Sequence, residues 1–183
     1  MIPKWLGRLL VAGTIISMYV LNAGGKPLIT GEAPQGGVSL ELPAAPLAVD
    51  RILWSWDVRD ALMHAKHQIE HDFVFIFFYS SLLIFCCARL NRRLRDAGVS
   101  HWKKYALLGG VAGGAAGVLD VVENFGMLKF IANYGDKLSS SESLVQLVFV
   151  SALAKFGLIA VSVLAIAALD IRLAVTRPRS SSR

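Results

Sequence analysis

The chain is 183 residues long, about one domain's worth, and is 55% hydrophobic but only 17% charged, whereas soluble domains run near one-quarter charged. Mean hydropathy is +0.54, and the 19 Lys and Arg against 13 Asp and Glu that give the formal +6 charge fall between long apolar runs. This disfavours a soluble enzyme, a nucleic-acid binder and a disordered chain. It points to a small all-α protein of the lipid bilayer, whose basic excess needs no nucleic acid because cytoplasmic loops are rich in Lys and Arg.

A spanning helix needs about 20 mostly apolar residues, and the first candidate covers 5–22. Its uncharged part from Leu9 resembles the hydrophobic region of a signal peptide, with Leu-Asn-Ala before Gly24 as a poor cleavage site. The Leu there is too large for efficient cleavage, so retention as an anchor is expected. Residues 23–71 read as an external loop. Its first part, to Val49, is rich in Pro and Gly and reads as irregular, with a short extended piece at Gly37–Leu42.

From Asp50 the chain reads as an amphipathic helix leading straight into the second span. At ~100° per residue, Trp54, Val58, Ala61, Leu62, Ala65 and Ile69 share one arc, suited to the membrane surface or to the bundle. Beside it, Asp57, Asp60, His64, His67 and His71 alternate spacings of three and four and form a stripe on the same helix. Imidazole and carboxylate at such spacing are neighbours that can share a divalent metal, and His67 with His71 is the tightest pair. The plainer reading is the solvated flank that any surface helix carries, as Arg59, Lys66 and Glu70 do, and a pH-responsive His cluster is a third. With four histidines in all, and His101 on the other side, His-box di-iron chemistry is not expected. A bis-His haem would require a dimer or a partner subunit.

The second span covers 72–88 and holds Cys86 and Cys87, which are adjacent within an apolar run and so suggest no disulfide framework. A basic loop at 89–104 follows, with Arg89, Arg92, Arg93, Arg95, Lys103 and Lys104; then come spans at 105–128 and 144–169 and a tail at 170–183 with Arg172, Arg177, Arg179 and Arg183. The positive-inside rule puts this loop and both termini in the cytoplasm if there are four spans, and the composition suits a bacterial inner membrane. Trp5, Trp102 and Tyr105 fall at the expected cytoplasmic interface. No internal repeat supports an inverted-repeat transporter.

The third span is polar as well as apolar. Gly109, Gly113 and Gly117 recur every four residues, the small-residue pattern that lets helix backbones approach closely. Asp120 and Asn124 share that face, with Glu123 on its edge. At ~1.5 Å per residue Asp120 lies roughly 12 Å below the outer boundary, and Lys155 on the fourth span roughly 16 Å. A buried polar cluster of Asp120, Glu123, Asn124 and Lys155 is expected, because charges at such depth face the interior and pair. One cation against two acids leaves an imbalance: either one carboxyl carries a proton or another group reaches in, for which His71 and Asp72 are placed, with Tyr79, Gln146 and Ser151 as hydrogen-bonding groups. The cluster reads as a lock holding the spans in register, as a pocket open to the outer face, or as a contact with another subunit.

No nucleophile motif, nucleotide loop or cofactor box stands out, so the first expectation is a non-catalytic protein. It would be an accessory or assembly subunit, as a homo-oligomer or in a larger membrane complex, or a binder of a lipid or small hydrophobic ligand. The alternatives are an intramembrane metal-dependent enzyme with an outer-face His/Asp/Glu site, and an oligomeric proton- or ion-coupled transporter using Asp120, Glu123 and Lys155.

Overall fold

The computed structural model describes residues 4–43, 45–135 and 140–176. All regular structure among them is helical: α1 (Lys4–Gly25), α2 (Val38–Glu41), α3 (Pro46–Asp57), α4 (Leu62–Asp96), α5 (Lys103–Ala132) and α6 (Glu142–Thr176), with single helical turns at Lys26–Leu28 and Ser100–Trp102. Four of these segments, Trp5–Leu28, Leu62–Asp96, Ser100–Ala132 and Glu142–Val175, are long and apolar enough to cross a membrane. They contain the four expected spans and extend them. Of the tail expected at 170–183, residues up to Thr176 continue α6, and 177–183 lie outside the described residues, as does the side chain of Lys4.

α5 is the central helix, packed along both α4 and α6, while α1 leans on α4. The glycines of α5 permit this. A Cβ on Gly113 would stand 2.7 Å from the Leu83 Cβ of α4 and 3.2 Å from the Ser162 hydroxyl of α6. One on Gly117 would stand 2.8 Å from Ser80 Cβ, and one on Gly109 would be 3.1 Å from both Cys87 Sγ and Ala165 Cβ. The glycine row therefore touches both neighbours at once. At the far end from α3, Leu90, Leu94, Ala106, Leu169 and Leu173 close the bundle, and Arg93 donates to Asp170 at 2.6 Å.

Residues 26–43 and 45–61, expected as an irregular loop to Val49 and a helix from Asp50, are packed more closely than that. They fold into a cap with its own core of Leu28, Leu40, Val49, Ile52, Leu53 and Trp56, seated on Ala65, Ile69, Met127, Phe130, Val145 and Val148 of the long helices. Burying a side chain such as Leu or Val contributes about 1.5–3 kcal/mol, so this cap is held by packing rather than draped. Buried polar groups pair within it: Trp56 Nε1 donates to the Leu28 carbonyl at 2.8 Å, and Thr30 and Ser55 join hydroxyls at 2.8 Å. The extended piece expected at Gly37–Leu42 is instead the turn of helix α2. An extended strand would turn Val38 and Leu40 to the same side; the helical turn leaves Val38 exposed and seals Leu40 completely.

The expected continuous helix from Asp50 into the second span is also corrected. α3 stops at Asp57 and α4 begins at Leu62. Between them Asp60 takes a left-handed φ of 55°, while the Ala61 amide bonds back to the Trp56 carbonyl at 2.8 Å. This is the helix-ending motif usually served by glycine, and Asp is among the few residues that tolerate it. The break resets the helical phase. Val49, Ile52, Leu53 and Trp56 form the buried stripe of α3, while Trp54 and Val58, expected on the apolar arc, are 59% and 66% exposed.

Candidate functional site

A cavity of about 620 Å³ lies beneath the cap, bordered by α1, α2, α4, α5 and α6. Its walls are mostly apolar, with Met18 and Leu21 from α1, Phe75, Leu82 and Leu83 from α4, Met127 from α5, and Phe156 and Ile159 from α6. Polar side chains converge on one stretch of it: Glu41, Asp72, Tyr79, Asp120, Asn124 and Lys155.

Lys155 organises these groups. Its Nζ donates to Glu41 Oε2 at 3.0 Å, to Asp120 Oδ1 at 2.8 Å and to Glu123 Oε1 at 2.8 Å. An ammonium has three N–H donors and no acceptor, so each of its hydrogens has a carboxylate. Such charge-assisted bonds are about twice as strong as neutral ones. Lys155, Asp120 and Glu123 are all buried, while the Glu41 side chain is 16% exposed. Tyr79 donates its hydroxyl to the second oxygen of Asp120 at 2.8 Å, and Asn124 donates Nδ2 to Asp72 Oδ2 at 2.8 Å.

The helical register places each group. Asp120 and Asn124, four residues apart, sit one turn apart on α5, with the first facing Lys155 on α6 and the second facing Asp72 on α4. Asp72 and Tyr79 lie two turns apart on the same side of α4. Leu82 and Leu83 follow about one turn beyond Tyr79, and Ile159 one turn beyond Lys155, so the cavity runs from a charged part to an apolar one.

Compared with models of known protein families, with curated proteins and with solved structures, this chain matches none.

The structure brings together Asp120, Glu123 and Lys155 directly, whereas Asn124 bonds Asp72. Glu41 was missed in the sequence, since its segment reads as part of the external loop and nothing local marks a residue as reaching into a helix bundle. The glycines Gly109, Gly113 and Gly117 lie on the helix-packing face rather than in the cavity. The Asp/His stripe is not one stripe. Asp57 closes α3, Asp60 occupies the left-handed break, and His64, His67 and His71 ride on α4, all five exposed. Asp57 accepts from Tyr134 at 3.4 Å, His67 Nδ1 meets Glu70 at 3.0 Å, and His71 Nδ1 donates to the His67 carbonyl at 2.7 Å. No His lines the cavity. Among the described residues no group of three or more His, Cys, Asp or Glu side chains is arranged to hold a metal ion.

Proposed function

We propose that this chain is a four-span protein of the bacterial inner membrane, with both termini in the cytoplasm, which binds a lipid or small hydrophobic molecule without transforming it. The observation that carries this reading is the cavity: about 620 Å³ falls within the range of small-molecule sites, and mostly apolar walls with a few convergent polar groups are what such sites share. Support for the membrane setting comes from four long apolar helices and from the basic residues between the second and third of them. In that setting the cap would cover the outer mouth, and Lys155 would hold α2, α5 and α6 around the polar part of the site. Lys155 has all three donors engaged, which suits it to fixing the walls.

The test is native mass spectrometry of the chain extracted from membranes in mild detergent, beside an Ile159→Trp variant whose larger ring would fill the apolar part of the cavity. A discrete lipid-sized adduct on the wild type, absent from the variant, is expected. No adduct, or equal adduct on both, would count against the reading.

A further inference from the structure

The charges around the cavity do not balance, and the inference drawn from this rests on the ligand-binding reading above. Among the described residues, Glu41, Asp120 and Glu123 bind one cation, Lys155, and a fourth acid, Asp72, stands on the cavity wall. Lys155 is fully engaged by the other three acids, so Asp72 is held by the neutral amide of Asn124. Asp72 is half-buried, and a carboxylate taken even partly out of water without a cation beside it is costly to keep ionised. Two sealed acceptors on residues of the cavity wall also lack partners. The bond from Asn124 Nδ2 to Asp72 sets the amide's orientation, and its Oδ1 is left without a partner although Asn124 is fully buried. Gln68, which gives Nε2 to the Leu21 carbonyl, likewise has a buried Oε1 with no partner. Both residues line the cavity. The rings of Phe75 and Tyr79, 5.1 Å apart, line the same region and offer faces that attract a cation.

A group that supplies positive charge and several N–H donors answers all of these features. An anionic headgroup would add to the repulsion, and a hydroxyl would bring one donor and no charge. We propose that the cavity takes a cationic amphiphile with a primary ammonium head, seated at Asp72 and Asn124, whose alkyl chain runs toward Leu82, Leu83 and Ile159.

The test compares probes with one tail and different heads on the full chain in nanodiscs of zwitterionic lipid: dodecylamine, dodecyltrimethylammonium, dodecanol and dodecanoate, with affinities read by titration calorimetry. Dodecylamine should bind at least about tenfold more tightly than dodecanol, a difference of ~1.4 kcal/mol. It should also bind more tightly than the trimethyl compound, which carries the charge but no N–H, and dodecanoate should be weakest. Asp72→Asn should bring dodecylamine close to the level of dodecanol, and a cooperative unfolding transition like that of the wild type shows the variant is folded. Dodecanol binding as tightly as dodecylamine would overturn the inference and leave the lipid-binding reading standing. Failure of all four probes to bind would remove both. The wild-type comparison decides even if the variant does not fold.

Discussion

At the scale of single residues, Lys155 carries more than any other side chain. Removing one partner of a buried ion pair costs about 3–5 kcal/mol because the other charge is left uncompensated. Lys155→Met would strand Glu41, Asp120 and Glu123 together, and the purified protein should lose at least that much stability. Adding Asp120→Asn should recover part of the loss, since neighbours in one network are not additive. Thermal unfolding of the two variants in detergent checks this, and equal midpoints for both would show that the acids do not act as a unit. The pairing of Lys155 with Asp120 and Glu123 is accessible from the chain alone, because apolar runs leave a buried charge few places to go. Glu41 is not, since its partner lies 114 positions away and only the folding of the cap brings them together.

At the scale of elements, the sequence shows the long helices clearly and their ends poorly. Runs of apolar residues predict α1, α4, α5 and α6 from composition alone. The α3–α4 break depends on Asp60, one residue in a backbone conformation that hydrophobic periodicity does not register. A period carried through that break assigns Trp54 and Val58 to the wrong side and joins five Asp and His residues that the structure divides between two helices and a turn. By contrast, Gly98 takes φ 72° at the end of α4, where a glycine in the sequence makes the stop visible.

The glycines of α5 and α6 give a sharper expectation. Gly113→Ala sets a Cβ 2.7 Å from Leu83 Cβ, close to the backbone of α4, whereas nothing lies within 4 Å of a Cβ on Gly157. The first should cost about 1–3 kcal/mol through overpacking. The second should stabilise by up to ~1 kcal/mol, the helix-propensity difference between Gly and Ala. Unfolding midpoints of the two variants should therefore move in opposite directions. A fall for both would mean that the face of Gly157 is covered by something else.

At the scale of the whole molecule, the proposed orientation separates the basic turn after α4 from the cap. Single-cysteine variants at Glu32 and Ala97, both exposed, in a background with Cys86 and Cys87 replaced, distinguish the two sides. An impermeant maleimide added to intact spheroplasts should label the Glu32→Cys protein and spare the Ala97→Cys protein until the membrane is opened. The reverse pattern would invert the molecule.

The reach of Glu41 into the bundle also bears on the order in which such a protein is assembled. If the chain enters the membrane as it is synthesised, α1, the residues of the cap, α4 and α5 all precede α6, and three acids wait for a cation that arrives last. The cap could pack its Leu28–Trp56 interior and seat it on Ala65, Ile69, Met127 and Phe130 early, yet its ionic tie to the bundle would form only when Lys155 arrives. A chain arrested before α6 would then hold a cap and three helices that share an acidic seam with no cation at its centre. One lysine would thus report that α6 has joined the bundle.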